Sequence, residues 1–258
     1  MSAIAVPHPA RAGAPGVAAS AVRAVGLTRR FGDGEAAVHA LRGVDLDVPA
    51  GQFLAVMGPS GSGKSTLLHH LAGLDTPTSG RVVLAGHDLS ALGEKQLTRL
   101  RRDHVGFVFQ AFNLLPTLSV EENIVLPLTI AGRTPDAAWL EAVLERVGLG
   151  ERRGHRPAQL SGGQQQRVAV ARALVAEPEV IFADEPTGNL DSASGREVLA
   201  LLREAVDAFD QTIVMVTHDA RAAVIADRVV VLADGEIAAD LDGPTESEIA
   251  FALQGVAR

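Results

Sequence analysis

The stretch "FLAVMGPSGSGKSTLLHHLAGL", residues 53–74, constrains this chain more than any other. Five apolar residues, Phe53 to Met57, form a strand-type run; the loop "GPSGSGKST" (58–66) follows at once and passes into a helical pattern at Lys64. Gly58, Gly63, Lys64 and Ser65 satisfy the spacing G-x-x-x-x-G-K-[ST] in the strand–loop–helix setting this phosphate-binding loop needs. With the chain's own frequencies of Gly, Lys and Ser/Thr, a chance match is roughly two in a thousand. Glycines let consecutive backbone N–H groups turn toward a polyphosphate, and the helix start adds positive partial charge. Lys64 is then suited to the β- and γ-phosphates, Ser65 to a hydroxyl contact with Mg²⁺, and Thr66 to the α-phosphate side, with Pro59, Ser60, Gly61 and Ser62 completing the cradle. Only two lysines occur, Lys64 and Lys95, in a chain that otherwise uses arginine, so a compact point charge at 64 looks selected for its chemistry.

Such a loop needs a buried strand behind it, and the rest of the chain supplies a sheet. "FLAVM" (53–57), "VGFVF" (105–109), "EVIFAD" (179–184), "TIVMVT" (212–217) and "RVVVLADG" (228–235) are near-continuous apolar runs, the pattern of strands covered on both faces. Helical patterns at 64–72, 120–131, 136–147, 162–176, 193–207 and 219–225 alternate with them. Ser119 with Glu122 marks one helix start, and Thr134 followed by Pro135 marks another. The alternation predicts an α/β fold with a mainly parallel sheet. Residues 111 to about 160 carry two helical patterns and no convincing strand, which predicts a helical insertion of about 111–176 once the next helix is counted.

Composition removes several alternatives. The net charge of −8 argues against a nucleic-acid surface, and no stretch approaches the roughly 18 consecutive apolar residues of a membrane span. Any membrane role therefore runs through a partner chain, without direct insertion. The absence of cysteine excludes disulfides and cysteine-ligated metal and is compatible with a reducing cytosol. Residues 1–20, rich in Ala, Pro and Gly, are expected to form a disordered leader. The expected organisation is a catalytic domain over 21–243 and a C-terminal helix or tail over 244–258.

Two further stretches bear on chemistry. "VIFADEP" ends a strand with Asp184 and Glu185; behind a phosphate loop, one carboxylate can hold Mg²⁺ while the other polarises an attacking water. "LSGGQQQR" (160–167) opens a helix, and Ser161 with Gln164 fits a capping box. Its glycines, Gly162 and Gly163, are unexplained by capping, because each costs up to about 1 kcal/mol relative to alanine in a helix interior. A glycine-rich helix start is itself an anion site, so the chain owns two such starts but one loop lysine. One inference is that the second grips a nucleotide held by another copy of the chain.

Together with "FVFQAFNLLPTLSVEEN", "IFADEPTGNLD" and "VMVTHD", these motifs closely resemble the ATP-binding subunits of ABC transporters over roughly residues 22–240. Within that superfamily the chain is most similar to the group of lipoprotein-release (LolD-like), macrolide-efflux (MacB-like) and cell-division (FtsE-like) ATPases. The resemblance implies a P-loop NTPase core with an N-terminal antiparallel β-subdomain and an inserted α-helical subdomain. It implies ATP and Mg²⁺ as ligands, with Ser65, Gln110 and Asp184 at the metal. Catalytic roles fall on Lys64, Gln110, Glu185 and His218, with His218 at the γ-phosphate. Phe31 occupies the position of an adenine-stacking aromatic; Ser161, Gly162, Gly163 and Gln164 match the signature that meets the partner's γ-phosphate. Asp191 ends the loop "GNLD", which departs from the more widespread "SALD", with its dimer contact expected to survive. For Gln165, Gln166 and Arg167, a solvated or intersubunit polar face and a nucleotide contact stay open. The family pattern further implies an ATP-dependent homodimer and an integral-membrane permease partner (FtsX-like or MacB-like), docking near Gln110 and 111–130, at the cytoplasmic face of the cell membrane. A mechanical regulator of cell-wall hydrolysis or division is the alternative; a DNA-maintenance ATPase is disfavoured by the acidic charge, and a translation factor by the single motif set.

Overall fold

The computed structural model describes residues 20–32, 34 and 37–256. Its strands, in chain order, are β1 (Ser20–Phe31), β2 (Val38–Pro49), β3 (Phe53–Met57), β4 (Ser79–Leu84), β5 (His87–Asp88), β6 (Val105–Phe109), β7 (Val180–Asp184), β8 (Thr212–Val216), β9 (Arg228–Ala233) and β10 (Glu236–Asp242). Its helices are α1 (Lys64–Leu71), α2 (Glu94–His104), α3 (Val120–Ile130), α4 (Ala137–Arg146), α5 (Gly162–Val175), α6 (Ser192–Phe209), α7 (Ala220–Ala223) and α8 (Glu246–Val256). The leader expected over 1–20 lies outside the described residues apart from Ser20, which opens β1.

The five apolar runs, joined by the edge strand β10, form one six-stranded sheet in the order β10-β9-β3-β8-β7-β6, parallel except for β10. Alternation along the strands divides their side chains between two cores. Leu54, Val56, Val180, Phe182, Val214 and Val216 join α1 and the second sheet in one core. Phe53, Ala55, Met57, Ile181, Ala183, Ile213 and Met215 join α6, α7 and α8 in the other. Burial on both faces explains why these strands are written as unbroken apolar runs rather than as alternation. The second sheet, β2-β1-β4-β5, is antiparallel and covers α1 from the far side. The expected α/β fold, mainly parallel with an antiparallel β-subdomain, is the one observed.

The two helical patterns in 111–160 are α3 and α4, which pack with α5 around Ile124, Leu128, Leu144, Val168 and Ala171. Buried Asn123 fastens the loop that leads into α3: its amide donates to the carbonyls of Leu115, Leu118 and Ser119 and accepts from Leu115 N–H at 2.8 Å. Ser119 and Glu122 form the predicted capping box. The start predicted at Thr134–Pro135 is corrected: α4 begins at Ala137, capped by Asp136, which accepts from Trp139 N–H at 2.8 Å. A carboxylate at the N-cap also meets the positive end of the helix dipole, an advantage threonine lacks. The pattern at 219–225 shortens to α7, and that at 193–207 extends to α6. Helix α2 escapes the sequence pattern because Leu100 is its single buried residue. The C-terminal residues form a helix, α8, seated through Ile249. No helix among the described residues is long and apolar enough to cross a membrane.

Candidate nucleotide-binding site

The phosphate loop is held open by contacts that leave no room for side chains. Gly58 has φ 142°, and a Cβ there would lie 2.0 Å from the Leu232 carbonyl oxygen; at Gly63, φ 101°, it would lie 2.3 Å from that of Ala40. Both positions thus need glycine for backbone conformation and for close approach. Lys64 folds over the loop, its Nζ donating to the carbonyls of Gly58 at 2.9 Å and Pro59 at 2.8 Å. Burial pulls its pKa below the ordinary lysine value, against the attraction of Glu185 and Asp184. Side chains of Ser119, Asp136, Ser161, Asp191 and Asp219 cap α3, α4, α5, α6 and α7, whereas α1 begins at Gly63 with no side-chain cap. The unpaired N–H groups at the start of α1 are therefore left to an external acceptor.

Strand register sets the acids opposite this loop. Asp184 pairs with Phe109 on one side and Val216 on the other, so Gln110, Glu185 and Thr217 emerge together at one edge of the sheet. Asp184 is half-buried, with the Ser65 hydroxyl among the groups that favour its charged form. Burial pushes its carboxyl above the ordinary carboxylate range, with Glu185 adding to the rise and His69, Ser65 and Lys64 opposing it. A raised folded-state pKa means the native state holds the proton longer, so this group's contribution weakens the fold as pH rises and the penalty is complete above the folded pKa. Asp184→Asn should accordingly raise the Tm of the nucleotide-free protein by a few degrees at neutral and alkaline pH, with the gain vanishing in acid. Thermal scans across pH check this; an unchanged or lower Tm at pH 8 contradicts it.

Glu185 leaves the strand in the left-handed region, φ 47°, which is uncommon for a non-glycine residue. Its N–H donates to Val216 O at 2.9 Å and its carbonyl accepts from Gly188 N–H at 3.0 Å, and these two bonds hold the turn. The turn aims the carboxylate at His218, whose Nδ1 lies 2.9 Å from both carboxylate oxygens. His218 is 73% exposed and Glu185 20%, so the pair faces outward from the sheet edge.

Gln110 stands exposed beside this pair, with its side chain against Gly188 and bonded to Asn189. Phe31, 44% exposed, ends β1 with the Arg29 guanidinium 4.6 Å from its ring centroid. Arg29 is fixed in turn by Asp75 at 3.0 Å and by the Thr76 carbonyl at 2.8 Å. Asp191 caps α6 through the N–H groups of Ala193 and Ser194 and accepts from Ser194 Oγ at 2.7 Å, so its carboxylate is committed within its own chain.

At the start of α5 the capping box is present: Ser161 Oγ accepts from Gln164 N–H, and Gln164 Oε1 accepts from Ser161 N–H. The two glycines separate here. A Cβ at Gly163 would lie 2.6 Å from Ser194 Oγ, so that glycine is required by packing on α6; at Gly162 the nearest atoms are 3.7 Å away, ordinary contact. Gln166 settles differently from either reading of the sequence. It is fully buried, and its amide donates to the carbonyls of Phe109 at 3.2 Å and Pro186 at 2.5 Å, tying α5 to both sheet-edge loops. Arg167 pairs with Glu197 at 3.3 Å, and the Gln165 amide donates to Leu160 O. Arg172, which the sequence pattern does not single out, donates to the carbonyls of Phe112 and Asn113, both at positive φ. The spacing of Gln166 from buried Val170 and Ala173 was the available signal for its burial; nothing local reveals the targets of Arg172.

A buried parallel strand, an uncapped helix start and acids at the end of β7, one strand removed from β3 across β8, are the architecture of the P-loop NTPases, the class in which fold and site put this protein. The ABC transporter family model matches residues 41–188, more than half of the chain, and the chain belongs to that family as its ATP-binding, ATP-hydrolysing domain. It is 52% identical over 216 residues to the macrolide export ATP-binding/permease protein MacB of Marinobacter nauticus, covering 83% of this chain and 33% of that protein. It is 48% identical over 211 residues to the lipoprotein-releasing system ATP-binding protein LolD of Shewanella frigidimarina, covering 81% of this chain and 88% of that one. The chain thus spans about a third of the MacB relatives' length. A solved dimeric bacterial ABC transporter cassette, MJ0796, is similar with a TM-score of 0.78 at 40% identity, covering 87% of this chain and 99% of that one. A dimer of MJ0796 in a post-hydrolysis state bound to ADP and Pi gives 0.77 at the same identity.

Proposed function

We propose that this chain is the ATPase motor of a MacB- or LolD-type system: it binds Mg-ATP, closes as a head-to-tail homodimer around two nucleotides, and drives an integral-membrane permease in export, extraction or force transmission. One observation carries the reading. The chain has two helix starts suited to phosphate, built on different supports: α1 packs mainly on β1, β2, β4, β7 and β8, and α5 on α3, α4, α6 and β6. Only the first has a lysine, so each makes sense as half of a site completed by a second copy. The dimeric ADP- and Pi-bound relative agrees with that arrangement.

The donors suit magnesium, which prefers hard oxygen ligands. Ser65, Asp184 and Gln110 would hold it, and when bound it neutralises phosphate charge. Lys64 and the N–H groups of residues 58–66 bind the phosphates, and Phe31 offers its ring to adenine. Glu185 orients or deprotonates the attacking water, with His218 fixing its carboxylate and facing the γ-phosphate. Ser161 accepts from its own Gln164 N–H and so keeps its hydroxyl proton for the partner's nucleotide; Gly162, whose missing side chain leaves the backbone bare, allows that approach. Gly163, Gln164 and Asp191 shape the two loops rather than touch phosphate. The permease docks near Gln110 and 111–130, where Leu115 and Ile130 are exposed, and the location proposed with it is the cytoplasmic face of the membrane.

Complementation tests the composite site. Homodimers of Lys64→Ala and of Ser161→Arg are each expected to lose ATP hydrolysis. Mixing them creates heterodimers in which one centre keeps both its lysine and its signature serine, and phosphate release should return. No recovery in a mixture shown to contain heterodimer, or full turnover by a monomer, overturns the proposal.

A further inference from the structure

The Gly188–Asn189 pair has a structural consequence confined to one protomer. Asn189 Nδ2 donates to the Gln110 main-chain carbonyl at 3.0 Å, and Gln110 Nε2 donates to Asn189 Oδ1 at 3.2 Å. A carbonyl can only accept, so the first bond fixes which end of the Asn189 amide is nitrogen. The Asn189 oxygen then faces Gln110 and demands a donor, which fixes the Gln110 amide in turn. The atom of Gln110 left over is its carboxamide oxygen, the one that can meet a cation.

Gly188 makes this possible by its lack of a side chain. A Cβ there would lie 2.7 Å from Gln110 Nε2 and 3.0 Å from its Cδ, so the glutamine lies directly on the glycine backbone. Its φ is not in the left-handed region, and room rather than backbone freedom is what glycine supplies. The "SA" of the more widespread loop would remove the amide and fill the floor. Gly188 also donates to the Glu185 carbonyl, so the clamp is anchored to the turn carrying that carboxylate.

We propose that Asn189 is a positioning residue that sets the orientation of the Gln110 carboxamide toward the metal, with Gly188 as its seat. The inference rests on the reading of Gln110 as a metal-facing residue. Both 188 and 189 are exposed, so substitutions there leave the cores untouched.

The test uses the full chain carrying Asn189→Ala, Gly188→Ala, Gln110→Ala, or Asn189→Ala with Gln110→Ala. Two quantities are measured: the Mg²⁺ concentration giving half-maximal ATP hydrolysis, and the Mg²⁺-induced tightening of a non-hydrolysable ATP analogue, read by titration with and without EDTA. Asn189→Ala and Gly188→Ala should each raise the Mg²⁺ requirement about fivefold, the size carried by one ordinary hydrogen bond. Affinity in EDTA should stay within about twofold, and the double variant should match Gln110→Ala alone, because the two residues act as one unit. Additive effects, an equal loss of affinity in EDTA, or a silent Asn189→Ala beside a damaging Gln110→Ala overturns the inference. A Gln110→Ala variant with unchanged Mg²⁺ dependence overturns the parent reading instead, and the inference falls with it.

Discussion

Replacing Glu185 by glutamine leaves ATP binding intact and lowers phosphate release about 10²–10⁴-fold, the range that positioned acid–base groups supply. The amide keeps the shape of the side chain and an acceptor for His218 Nδ1, now 2.9 Å away. It cannot polarise or take a proton from water. Removing the charge also relieves Asp184, whose pKa Glu185 helps raise, so the metal-side carboxylate should ionise more readily and binding should not suffer. With closure permitted and hydrolysis blocked, the ATP-bound dimer should accumulate, visible by size-exclusion chromatography with light scattering. Phosphate release within twofold of the unmodified chain would remove Glu185 from catalysis.

Lys64→Ala acts on the other half of the reaction. The ammonium is tied to the carbonyls of Gly58 and Pro59, so its loss removes a positive charge and a brace across the loop together. Charge-assisted hydrogen bonds are worth about 1.5–3 kcal/mol, which predicts a fall in ATP affinity of about 10- to 100-fold. Tm should change little, because the lysine is only partly buried and its desolvation already opposes it. Lys64→Arg should not rescue binding, since a planar fork cannot occupy a cradle shaped for a point charge. Titration with a fluorescent nucleotide measures both variants, and unchanged affinity in the alanine variant contradicts the assignment.

Much of this was legible because the relevant physics is local. Strands buried on both faces are apolar throughout, so "FLAVM" and "TIVMVT" declared themselves, and the loop from Gly58 to Ser65 carries its motif in consecutive residues. Segments with one exposed face were harder. The burial pattern of β1 and β2 is broken by register shifts, and α2 buries one leucine, so neither gave a clean period. Thr134 lost the helix cap to Asp136 because two polar residues on either side of Pro135 compete for one role, and geometry chooses between them.

The sequence by itself determined the strand–loop–helix cradle, its loop lysine Lys64, the acid pair and the parallel α/β core, because each depends on residues adjacent in the chain or on a simple period. Only the tertiary structure decided that Gly163 is glycine for the sake of Ser194, that Gln166 is buried between two loops, and that Asn189 orients Gln110. Those relations join positions separated by up to 79 residues, and a hydrogen bond's direction and reach exist only once the strands have brought its two ends within about 3 Å.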